Sequence, residues 1–180
     1  MKISPAKSTL LVIDVQERLL PKIDQKEQVI KTAIWAIELA NTIGIPVVLT
    51  EHFPEKIGRT PRALRSKVSE SNIVSKTYFS AVADGKLIKN FDENRKQVVV
   101  VGTETHICVL QTVLDLMAIG YHVFVLDAGV GSRVPNDTIR GLERMKQNGA
   151  EIITQDMLAF EWLEKAGTAM FKEVLERFIK

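Results

Sequence analysis

An α/β fold is what the 180 residues predict: a three-layer, doubly wound sheet of about six parallel strands with helices on both faces. Three observations lead there. Short β-branched runs alternate with longer stretches along the whole chain. The runs are apolar at consecutive positions, as a strand covered on both faces requires. The stretches between them repeat their apolar residues every three or four positions, as a helix with one buried face does.

The first run is Leu10 to Ile13, closed by Asp14. A helix follows, with Ile30, Ala33, Ile34, Ile37 and Ala40 on one face. Val47 to Leu49 is the second run and Asn72 to Val74 a weaker third. Between those two lies the one long irregular segment, His52 to Ser71. It carries Pro54, Gly58, Pro61 and the cations Arg59, Arg62, Arg65 and Lys67. Loops of that length are either binding elements or solvated surface.

The fourth run, Val98 to Val101, leads through Gly102 to a helix over Thr105 to Ile119. The fifth, Val123 to Leu126, leads to a helix from Pro135 to Asn148, with proline in its first turn and Gly149 at its end. Ile152-Ile153 is the sixth. Thr154 is placed to cap a helix carrying Leu158, Trp162 and Leu163, and Phe171, Val174, Leu175 and Phe178 mark a terminal amphipathic helix. No repeat or linker interrupts the pattern, so one domain over residues 1–180 is expected.

Composition narrows the class. Hydrophobic residues make up 46% and charged residues 26% of the chain, which is globular in character. A net charge of +2, with no basic run interleaved with aromatics, gives no reason to expect a nucleic-acid partner. No apolar stretch approaches the ~18 residues of a membrane span, and the N-terminal apolar run is too short for a signal peptide. The single cysteine, Cys108, precludes an internal disulfide and fits a reducing, cytoplasmic setting. Neither a glycine-rich dinucleotide loop nor a phosphate-binding loop occurs, so no cofactor is expected.

Ligands of open parallel sheets bind beyond the carboxyl ends of the strands. The residues there are Asp14 and Gln16 after the first run, Thr50, Glu51 and His52 after the second, and Ser75, Lys76 and Thr77 after the third. Gly102 to Cys108 follow the fourth, and Asp127, Ala128, Ser132 and Arg133 the fifth. A carboxylate, an ammonium and a thiol thus share one edge. Taken singly, Cys108 reads as a packing residue, Asp14 as a turn cap and Lys76 as a solvated lysine. Together they suit nucleophilic catalysis: the thiol attacks as thiolate, Asp14 can take its proton, and Lys76 balances the charge. The start of a helix favours a thiolate and offers N–H groups to an oxyanion, whereas Asp14 disfavours the thiolate.

The order and spacing of these segments resemble the isochorismatase-like hydrolases. Leu11-Val12-Ile13-Asp14-Val15-Gln16 is similar to the family's first-strand motif. Val74 to Ala81 is similar to its lysine segment, and Val101 to Val109 to its nucleophile segment. Leu49 to Pro54 followed by Gly58 resembles the small isochorismatase domain-containing proteins of undefined substrate. The resemblance implies Asp14 as base, Lys76 as cation and Cys108 as nucleophile. It also implies a cis peptide between Thr103 and Glu104, and homo-oligomers.

Nicotinamidases of this family hold a metal on an aspartate and histidines after the second strand. The matching stretch here is Glu51, His52 and Pro54, and neighbours on an extended chain point apart, so no metal is expected. The expectation is a hydrolase of a small amide or imide. Gln16, His52, Phe79, Thr105 and Arg133 are the candidates for its pocket. The alternatives are vinyl-ether hydrolysis by Asp14 acid chemistry and a non-catalytic interaction protein on the same fold.

Overall fold

The computed structural model describes all 180 residues. Six strands form one sheet: β1 (Ser8–Ile13), β2 (Val47–His52), β3 (Ile73–Lys76), β4 (Gln97–Thr103), β5 (His122–Gly131) and β6 (Glu151–Ile153). Their spatial order is β3-β2-β1-β4-β5-β6, and every neighbouring pair is parallel. This is the doubly wound, Rossmann-like order. The chain grows outward from β1 to β3, returns to the middle and grows the other way from β4. The reversal point lies between β1 and β4, where such sheets leave a crevice for ligands.

The helices are α1 (Lys26–Ile43), α2 (Pro54–Ile57), α3 (Arg62–Arg65), α4 (Lys86–Lys89), α5 (Leu110–Ala118), α6 (Pro135–Gln147), α7 (Gln155–Leu163) and α8 (Ala169–Val174). Alternate residues of each strand feed two cores. Leu10, Val12, Val99 and Val101 pack with Ala33, Ile37 and Ala40 of α1 and with Trp162 of α7. Leu11, Ile13, Val98 and Val100 pack with Leu110, Val113 and Leu116 of α5 and with Met145 of α6. The consecutive apolar runs therefore fill both layers at once. Thr154 caps α7 by accepting the N–H of Met157. No helix is long and apolar enough to cross a membrane.

Three boundaries differ from those the sequence predicts. β5 does not stop at Leu126 but runs on to Gly131, because its pairing with β4 shifts register between Val100 and Gly102 and then resumes. Asp127 and Ala128 therefore lie within the strand, not beyond it. The helix predicted from Thr105 begins with a wide π turn over Thr105–Val109, in which the Val109 N–H reaches back five residues to the Glu104 carbonyl. The segment from His52 to Ser71 is folded into α2, α3 and a short 3-10 turn.

Gly102 sets the spacing at the reversal point. Its φ is +146°, and a Cβ there would run into the carbonyl of Ile13. Only glycine lets the ends of β4 and β1 approach this closely.

Candidate active site

Asp14 is the first residue after β1 and is completely buried. Its φ of +50° is left-handed, a conformation asparagine and aspartate tolerate better than most residues and one that recurs at functional positions. Hydrogen bonds hold it there. Its N–H donates to the Thr50 carbonyl at 3.1 Å, and its carbonyl accepts the Thr103 hydroxyl at 2.6 Å. One carboxylate oxygen accepts the Thr50 hydroxyl at 2.7 Å, and the other accepts Lys76 Nζ at 2.6 Å.

Lys76 ends β3, two strands from β1, so its side chain crosses over the end of β2 to reach Asp14. Its ammonium has three N–H donors and three oxygen partners: Asp14, the Tyr78 carbonyl at 3.2 Å and the Phe79 carbonyl at 3.0 Å. A buried charge with a full complement of hydrogen bonds and an opposite charge is tolerable, whereas a bare one is not.

Cys108 sits in the π turn, 6% exposed, at the floor of a cavity of about 240 Å³. A ligand atom each of Asp14, His52 and Cys108 lies within 4.8 Å of the other two. Burial, and next the charge of Asp14, push the thiol up to about 12, with Lys76 opposing. The helix-start effect expected to favour a thiolate is therefore outweighed: the turn lies too deep, and desolvation wins. The resting group is a thiol beside a carboxylate.

His52 stacks on Phe79 with ring centroids 5.4 Å apart, and its Nδ1 lies 3.4 Å from Lys76 Nζ. Burial and the neighbouring ammonium lower its pKa, so the ring is neutral at pH 7. The donor set of Asp14, His52 and Cys108 could in principle hold a metal ion, but the Lys76 ammonium already contacts two of the three. A divalent ion would have to sit against that charge, so the donors suit proton transfer better than coordination. Glu51 turns away from His52, pairing with Arg65 and accepting the Thr60 N–H at 2.9 Å.

His52, Phe79, Glu104 and Arg133 line the cavity, as do Arg18, Leu19, Lys22, Ile57 and Ile107, which sequence reasoning missed. Arg133 pairs with Glu104. Gln16 is buried behind the wall, not in it. Its amide donates to the carbonyls of His52 and Gly58 and accepts the His52 N–H, tying β2 to the start of the following loop. Thr105 is not a pocket residue either. It is fully buried, and its methyl lies 3.1 Å from where a Cβ on Gly141 would stand, beneath α6.

The cis peptide expected at Thr103–Glu104 is absent; every peptide bond is trans. The sharp exit from β4 is made instead by the positive φ of Gly102 and by the π turn, whose Ile107 and Val109 N–H groups both donate to the Glu104 carbonyl.

Residues 8–157 match the model of the isochorismatase domain. The mouse isochorismatase domain-containing protein 2A is 34% identical over 99% of this chain and 85% of its own length. A structure described as the MAR1 ribonuclease of Caenorhabditis elegans superposes with a TM-score of 0.93 at 30% identity, covering all of this chain and 93% of that one. The YcaC gene product of Escherichia coli, described as an octameric hydrolase of unknown specificity, shares the fold with a TM-score of 0.90 at 19% identity, over 99% of this chain and 91% of its own. With a family model spanning most of its length and relatives alike nearly from end to end, the chain belongs to the isochorismatase family.

Proposed function

We propose that the protein is a cysteine hydrolase that cleaves a C–N bond in a small amide- or imide-type substrate. The observation that carries this reading is the Asp14 carboxylate, held between Lys76 and Thr50, beside the one thiol on the cavity floor. Asp14 takes the Cys108 proton as sulfur attacks the carbonyl carbon. N–H groups of the turn from Glu104 to Cys108 hold the oxyanion. The amine leaves with the proton from Asp14, and a thioester remains. Water, deprotonated by Asp14, then releases the acid and regenerates the thiol. Lys76 pairs with the carboxylate and orients it, and no cofactor enters any step.

The test is a screen of small amides with the wild-type protein, Cys108→Ala and Asp14→Asn, with mass spectrometry for an acyl adduct on Cys108. Turnover lost in both variants and an adduct in the wild type are expected. Turnover of a vinyl ether that survives Cys108→Ala but not Asp14→Asn would replace this reading with vinyl-ether hydrolysis by acid chemistry. The likeness to a protein described as a ribonuclease raises phosphodiester cleavage as a second reading. A soft thiol in a cavity of about 240 Å³ favours a small carbonyl compound over a polynucleotide, and incubation with RNA decides between them.

A free thiol at the reacting position suits a reducing compartment such as the cytoplasm. We also take the chain to act as one domain and to assemble with copies of itself, as the octameric fold relative does. Light scattering on the purified protein gives the oligomeric state directly.

A further inference from the structure

We infer that the substrate carries a negative charge, a carboxylate set a short spacer from the scissile carbonyl, and that Arg18 and Lys22 bind it. This rests on the hydrolase reading above. The charges around Cys108 do not balance. Three cations line the cavity, Arg18, Lys22 and Arg133, against a single carboxylate, Glu104. That carboxylate is already matched, since it takes both the guanidinium and the backbone N–H of Arg133. Below it, Lys76 and Asp14 neutralise each other. Arg18 and Lys22 enter none of the protein's ion pairs. Two exposed cationic side chains without an ion-pair partner therefore line a cavity half of whose lining residues are apolar.

The position of Arg18 is built, not incidental. Its backbone N–H donates to the Ile57 carbonyl at 3.2 Å, and its Nη1 to the Lys56 carbonyl at 2.7 Å. Its Cγ lies 3.5 Å from where a Cβ on Gly58 would stand, so the stem lies along that glycine. Gln16 fixes Gly58 in turn. One of the five guanidinium N–H donors is thus used to hold the side chain in place, leaving the others for a carboxylate. Lys22 adds a second, exposed charge. A neutral amide needs neither, whereas an anionic one gains from both in a cleft with low-dielectric walls.

The test needs no knowledge of the substrate, because Cys108 is the only thiol. Its alkylation rates by iodoacetate and by iodoacetamide are compared at pH 9 and low ionic strength, each relative to 2-mercaptoethanol. The two reagents differ mainly in charge. We expect a normalised preference of about tenfold for the anion. The preference should fall towards one in Arg18→Met and in Lys22→Met, reverse in Lys22→Glu, and shrink in 0.5 M salt. Alkylation by both reagents with no preference in the wild type would overturn the anion site and leave the nucleophile standing. A preference that both methionine variants retain would overturn the assignment to Arg18 and Lys22. Failure of both reagents to reach Cys108 would overturn the nucleophile reading and this inference with it.

Discussion

The raised thiol makes a quantitative prediction about reactivity. Cys108 is pushed up to about 12 by its burial and by Asp14. At pH 8 such a group is ionised about once in ten thousand, against roughly a quarter of a free thiol with pKa about 8.5. If the thiolate is the reacting form, iodoacetamide should modify Cys108 on the order of a thousandfold more slowly than the cysteine of an unstructured peptide at that pH. The rate should climb about tenfold per pH unit from about pH 7 to pH 10, where a free thiol has already levelled off. Mass spectrometry of the intact chain follows the reaction, since a single site is modified. A rate that levels off between about pH 5 and pH 8, at or above that of the free thiol, would refute the reasoning. It would mean that the resting pair is thiolate and ammonium, with Asp14 no longer needed as the base.

Three further predictions follow from the same geometry. Because the folded state keeps a proton that the unfolded chain releases near pH 8.5, stability should fall as pH rises above that value. The loss should be about 2 kcal/mol by pH 10, and urea titrations of Cys108→Ala should lack that part of the slope. Lys76→Met should lose about 3–5 kcal/mol by stranding the Asp14 charge. The double variant Lys76→Met/Asp14→Asn, which removes the stranded charge and keeps an acceptor for Thr50 at the left-handed position, should recover most of that stability in urea melts without recovering turnover. Gly102→Ala, which forces a Cβ onto the Ile13 carbonyl, should cost about 3 kcal/mol or more and lower the melting temperature sharply; an unchanged melt would show that the close approach of β4 to β1 can relax.

The sheet was legible because its signal is local. Leu10 to Ile13 and Val98 to Val101 are apolar at every position, and both of their faces are in fact covered. The convergence of Asp14, Lys76 and Cys108 was legible because parallel strands deliver their ends to one edge. Other features depend on shape and not on sequence pattern. That Lys76 must cross over β2 follows from strand order, which no local pattern encodes. The titration of Cys108 follows from depth: a helix start promises a low pKa only where water or a cation dominates. Thr105 looked like a pocket residue by position, but the π turn rotates it under α6. Arg18, Leu19 and Lys22 did leave a trace, since they lie within six residues after the Asp14-Val15-Gln16 segment at the strand end. Their role appears only once the 57–59 segment is seen hydrogen-bonded against the backbone of Glu17 and Arg18.

The crossing of Lys76 ties chemistry to mechanics. The cation that fixes Asp14 is carried by β3, a four-residue strand at the edge of the sheet, with β2 as its one neighbour. Edge strands are the first part of a sheet to loosen. Here loosening would withdraw the ammonium and leave a bare carboxylate in the interior, a far steeper penalty than the loss of a few ladder hydrogen bonds. The ion pair thus fastens the rim to the centre like a tie rod. On the proposed hydrolase reading, the reactivity of the thiol 32 residues downstream of Lys76 would then report whether that rim is seated.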